Sequence, residues 1–144
     1  MYSYNEKTGE FEVKSGNTSF SFTTEELQAI SKVAAMMIKA DGETKAIEVQ
    51  TLEAELSQFA PGSTRVHAIV RLGIEMDSKR CYELIKKMNA NQKRYVSCFL
   101  MTLMFVDEDI DELEKLTLAL LVKLCDLPLF PLAEAINYMV ELRK

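Results

Sequence analysis

A chain of 144 residues, 48% hydrophobic and 27% charged with a net charge of −5, has the length and make-up of one soluble globular domain that can bury a core without staples. This composition excludes a disordered chain, and the acidic balance argues against a dedicated nucleic-acid binder. The three cysteines, Cys81, Cys98 and Cys125, are odd in number and sit far apart in apolar runs, so buried reduced thiols are expected, with no zinc spacing.

The first 22 residues differ from the rest. Phe11 and Val13 alternate with Glu12 and Lys14, Phe20 and Phe22 alternate with Ser19 and Ser21, and Ser15-Gly-Asn lies between. That pattern predicts a β-hairpin, and since a lone hairpin is marginal in water its phenylalanines should pack on the body. No apolar segment follows Met1, and the run from Val96 to Val106 is too short to cross a bilayer. A cytoplasmic location with no export signal and no membrane span is therefore expected.

Thr23-Thr-Glu-Glu26 has capping-box spacing and should open a first helix, in which Leu27, Ile30, Val33, Ala34, Met37 and Ile38 form the inner stripe. Gly42 is placed to end it. A second helix is predicted from about Lys45 to Gln58, presenting Ile47, Leu52 and Leu56, before the break at Ala60-Pro-Gly-Ser63. A third helix carries Val66, Ile69, Val70, Gly73 and Ile74. A fourth, begun by Asp77 or Ser78, sets Cys81, Leu84, Ile85 and Met88 against a face of Lys79, Arg80, Glu83, Lys86 and Lys87. Asn89-Ala-Asn91 separates it from a fifth, running through Val106, which is apolar almost all round after Tyr95 and should be central. A sixth, from about Asp111 to Leu124, is nearly as apolar. After Leu127-Pro-Leu-Phe-Pro131 a seventh should bury Leu132, Ile136, Met139 and Val140.

Two of the helix junctions share a pattern. Lys39-Ala-Asp-Gly-Glu-Thr-Lys-Ala-Ile-Glu48 and Phe105-Val-Asp-Glu-Asp-Ile-Asp-Glu-Leu-Glu114 each place an acid after an apolar run (Asp41, Asp107), a second acid two residues on (Glu43, Asp109) and a third seven from the first (Glu48, Glu114). A shift of 66 residues aligns them, together with Leu52 and Leu118, Val33 and Phe99, and Val70 and Ile136. The chain therefore reads as an all-α bundle of about seven helices. It is made of two pseudo-repeated three-helix halves, about 25–76 and 91–142, within a single helical domain 23–144 that carries the 1–22 hairpin arm.

The phrase Ala40-Asp-Gly followed by Glu48, closing one helix and opening the next, resembles the TerB-like family, the tellurite-resistance TerB proteins and their relatives. By architecture the resemblance covers about Glu25 to Leu142. Asp41, Gly42 and Glu48 fit the first family motif; Asp107 and Glu114 fit the second, where Ile110 fills the apolar slot. Glu108 stands in place of the usual glycine, and Thr44 occupies the apolar slot of the first motif. The resemblance implies a small helical module associated with stress or tellurite resistance, without an established enzymatic reaction, whose acids are suspected of binding a divalent cation. The candidate metal ligands are Asp41, Glu43, Glu48, Asp107, Asp109 and Glu114. Carboxylates without histidine or thiolate suit Ca²⁺, Mg²⁺ or Mn²⁺. The competing structural reading is that Glu48 and Glu114 only stabilise helix N-termini.

Asp107-Glu-Asp-Ile-Asp111 imitates the start of an EF-hand loop but lacks the glycine at position six and the glutamate at position twelve, which are Glu112 and Leu118. His67 has no nucleophile or acid at catalytic spacing, and nucleophile elbows, phosphate loops and CxxC pairs are absent. The expectation is a non-enzymatic binding module with an acidic surface and a protein partner, with no cofactor beyond the cation. The alternatives are a metal-independent adaptor that recognises a basic partner through the same acids, and a carboxylate-metal hydrolase.

Overall fold

The structure, a computed structural model, describes residues 1–40, 46–61, 64–106 and 111–144. Gly42 and most of both acidic turns lie outside the described residues.

The hairpin is present as strands β2 (Glu10–Ser15) and β3 (Thr18–Phe22), joined through Gly16, whose φ of 58° suits a two-residue hairpin loop. A further strand, β1 (Tyr2–Asn5), pairs antiparallel with β2 and extends the hairpin into a three-stranded sheet of order β1-β2-β3. The register lines up Tyr2, Val13 and Phe20 in one row across the sheet and Tyr4, Phe11 and Phe22 in the next. Phe11, Val13, Phe20 and Phe22 are all buried, so this face is applied to the helices as expected.

Among the described residues seven helices follow: α1 (Thr24–Ile38), α2 (Ala46–Ser57), α3 (Arg65–Glu75), α4 (Ser78–Lys86), α5 (Ala90–Met104), α6 (Glu112–Cys125) and α7 (Leu132–Leu142). The capping box of α1 forms as its sequence predicts: the Glu26 amide donates to Thr23 Oγ1 at 3.1 Å and the Thr23 amide to Glu26 Oε1 at 2.9 Å. A second capping box opens α5, where Gln92 N donates to Asn89 Oδ1 at 2.8 Å and Asn89 N to Gln92 Oε1 at 2.9 Å. These boxes are 66 residues apart, and the helices they open are both 15 residues long.

Helix α5 is the central one, burying Tyr95, Val96, Cys98, Phe99, Leu100, Met101, Leu103 and Met104. It packs on α1, α2, α6, α7 and β3. Helix α1 packs on α3 as α5 packs on α7, and α6 rests on α1 as α2 rests on α5. At the α1–α3 crossing Gly73 has no room for a side chain: a Cβ there would lie 2.4 Å from the Gln28 carbonyl oxygen.

Expectations about three helix faces are corrected. Ile47 is 45% exposed, and the inner stripe of α2 is instead Glu48, Leu52, Glu55 and Leu56. Helix α6 is not buried nearly all round: Leu113, Leu116, Leu120 and Leu124 are each about half exposed, while Glu114, Leu118, Leu121 and Cys125 face inward. In α7, likewise, Ile136 and Val140 are exposed, and Ala135, Met139 and Leu142 form the buried face. An apolar residue marks a possible inner face, but the 3.6-residue period admits one stripe of limited width, and the better-packed neighbours take it. Among the described residues no helix is long and apolar enough to cross a membrane.

Candidate functional site

Of the six candidate metal ligands, Asp41, Glu43, Asp107 and Asp109 lie outside the described residues. Glu48 and Glu114 are described, and both are buried to about 1% exposure. Each sits in the first turn of the helix that follows an acidic junction, Glu48 in α2 and Glu114 in α6. A carboxylate there stabilises the positive end of the helix dipole, but that benefit of about 0.3–1 kcal/mol is available at the surface. Burial adds a desolvation cost of several kcal/mol per ion before compensation. In both helices the preceding apolar residue, Ile47 or Leu113, is turned outward and the glutamate inward.

The surroundings correspond as well. Thr51 Oγ1 donates to the Ile47 carbonyl at 2.7 Å and Thr117 Oγ1 to the Leu113 carbonyl at 2.8 Å. One groove is lined by Met36, Ile74 and Thr117, and another by Thr102, Val140 and Thr51. Each residue of the second set is 66 positions from its counterpart in the first, with the threonine supplied by the opposite half of the chain. Both α2 and α6 pack on α1 and on α5. Among the described residues no group of three or more His, Cys, Asp or Glu side chains is arranged to hold a metal ion.

A second polar cluster escaped the sequence reading. Glu55 of α2 is completely buried and accepts hydrogen bonds on Oε2 from Tyr2 Oη at 2.6 Å and Tyr95 Oη at 2.7 Å, while Arg143 Nη2 meets Oε1 at 2.9 Å. Burial, followed by the Glu55 charge, pushes both phenols above the ordinary tyrosine value, so they stay protonated donors. This cluster joins β1, α2, α5 and the end of α7. Its members are four satisfied partners, as a structural clamp requires. The signal in the sequence was the position of Glu55, three residues after Leu52 on the inward stripe of α2.

Burial raises the Cys81 thiol to about 12 and the Cys98 and Cys125 thiols to about 11, which leaves them protonated and inert at neutral pH. His67 is exposed on α3. The basic stretch is partly engaged within the molecule. Arg80 Nη2 donates to both carboxylate oxygens of Glu25 at 2.7 Å, Lys93 meets Asp126 at 3.3 Å, and the Arg94 guanidinium lies 4.4 Å from the centre of the Tyr138 ring.

No family model and no curated protein matches the chain. Among solved structures, the chain is similar to a protein of unknown function, PG1108, from Porphyromonas gingivalis W83. The two are 33% identical with a TM-score of 0.75, and the match covers 84% of this chain and 98% of that one.

Proposed function

This chain belongs to the same family as the Porphyromonas gingivalis protein, and we propose that it is a non-enzymatic, TerB-like binding module whose two acidic helix junctions take up a divalent cation. The observation that carries this reading is the paired burial of Glu48 and Glu114. Two carboxylates 66 residues apart occupy inward positions that flanking apolar residues could have filled. A hard cation is a compensation for buried carboxylates that the remaining acids, Asp41, Glu43, Asp107 and Asp109, are chemically suited to share. The correspondence of helix bounds, capping boxes and grooves under the same shift supports two related halves, and with them two related junctions.

The test is thermal denaturation with Ca²⁺, Mg²⁺ or Mn²⁺ against chelator. A cation at 100 times its dissociation constant stabilises the fold by roughly 2.7 kcal/mol, and Asp41→Ala and Asp107→Ala should each abolish that gain if both junctions contribute. Loss with Asp41→Ala alone would confine the site to the first junction. A melting temperature indifferent to every cation refutes the metal reading and favours the metal-independent adaptor.

A further inference from the structure

Leu113, Leu116, Leu120 and Leu124 of α6 are 49%, 57%, 54% and 47% exposed. Their spacing of three, four and four residues places them on one helical face, so they form a continuous apolar stripe and not scattered surface residues. The inward contacts of α6, to α1, α4 and α5, are made by its opposite face.

The fold itself does not require this stripe. Shifted back by 66 residues, the same four positions, along α2 and just past its end, are Ile47, Gln50, Ala54 and Gln58, of which only Ile47 is a large apolar residue. The α2 face is also exposed, and it meets water with glutamine and alanine where α6 presents leucine. Two helices in corresponding places thus carry different outer faces, and only the α6 face is built to be covered.

We propose that this face joins two copies of the chain, with α6 packed antiparallel to α6 of the second copy about a twofold axis. The pattern of charge selects that occupant. Glu112 lies at one end of the stripe and Lys123 at the other, both exposed. When the helix is set against its own reverse about a point near Leu118, Leu116 comes against Leu120 of the second copy and Leu113 near its Leu124. Glu112 then approaches Lys123 of the second copy. A parallel arrangement would instead set both copies of Lys123 at one end and both copies of Glu112 at the other, and would bring no Glu112 near a Lys123. The stripe is therefore self-complementary in one orientation, the condition for an isologous contact. The surrounding ion pair of Glu112 with Lys115, at 3.1 Å and exposed, is weak enough to exchange. None of this depends on the acidic junctions binding a cation.

Sedimentation equilibrium of the full chain tests the proposal. The wild type should be a concentration-dependent dimer. Leu116→Glu and Leu120→Glu, which each place like charges in the centre of the contact, should raise the dissociation constant by about a hundredfold or more. Their far-UV circular dichroism should be unchanged, because both positions face away from the core. Glu112→Lys and Lys123→Glu should each weaken the dimer, and the double variant should recover it. A wild type that remains monomeric at every concentration overturns the proposal, as does a Leu120→Glu variant with the wild-type dissociation constant. A double charge reversal without recovery overturns the antiparallel arrangement.

Discussion

Tyr95→Phe isolates one hydrogen bond to a fully buried charge. The ring would stay where it is, because its packing against Phe20, Phe22, Phe59 and Phe99, with centroids 5.3–6.4 Å away, does not involve the hydroxyl. What is lost is the 2.7 Å bond to Glu55 Oε2. A hydrogen bond to a charged group contributes about 1.5–3 kcal/mol, and here no water replaces it, since Glu55 has no exposed surface. For a chain of this size each kcal/mol shifts the melting temperature by about 3–4 °C, so a fall of about 5–12 °C is expected. Tyr2→Phe removes the other phenol and should cost a comparable amount. The double variant should depart from additivity by about 0.5–3 kcal/mol, since both donors serve the same oxygen. Urea denaturation followed by far-UV circular dichroism, with m-values compared, is the appropriate assay. A Tyr95→Phe change below about 0.5 kcal/mol would refute the clamp, because surface substitutions without a special role fall in that range.

Gly73→Ala should destabilise the protein although alanine is the better helix former by about 1 kcal/mol. The added Cβ would sit 2.4 Å from the Gln28 carbonyl oxygen and 3.0 Å from Ser31 Cβ, an overpacking cost of about 1–3 kcal/mol or more; a higher urea midpoint in the variant would refute the close approach of α1 and α3. Stability should also fall as pH rises above 9. The Cys81 thiol ionises at about 9.0 when unfolded but at about 12 in the fold, so across that window the native state holds the extra proton and each pH unit removes up to about 1.4 kcal/mol. Cys98 and Cys125 act in the same direction up to about pH 11. A urea midpoint that is flat above pH 9, or a slope unchanged by Cys81→Ala, would contradict the burial of these thiols.

Features set by a few adjacent residues were readable in the sequence. Thr23 and Glu26 form their capping box, Gly16 makes its turn, and the alternating phenylalanines of β2 and β3 are buried. The strand β1 carries the same period-two signal in Tyr2 and Tyr4, but it lacks β-branched residues and becomes a strand by pairing with β2. Glu55 could be placed on an inward helical face. Its partners come from residues 2, 95 and 143, and no local pattern announces that convergence. The leucines of α6 misled in the opposite direction. Hydrophobicity in a sequence reports only that a side chain favours leaving water, and the covering element can be absent from the chain itself.

The 66-residue correspondence turns these departures into separate arguments. At positions 48 and 114 the halves agree, each with a buried carboxylate beside an outward apolar residue. That shared burial is the observation from which the cation is proposed at Glu48 and Glu114. At Glu55 the halves disagree: its counterpart is Leu121, just as buried and wholly apolar, and the counterpart of Tyr95 is Ala29. The polar clamp therefore belongs to the half of the body that receives Tyr2 of the sheet, and Glu55→Leu alone should be harmful because it strands two phenols. With Tyr2→Phe, Tyr95→Phe and Arg143→Leu added, the site would approach the apolar composition of its counterpart. Such replacement of a complete buried ionic cluster by apolar residues is often neutral or stabilising. Recovery of the lost stability in that combination would mean that the clamp specifies where the sheet docks, while the apolar surfaces around it supply the energy of docking.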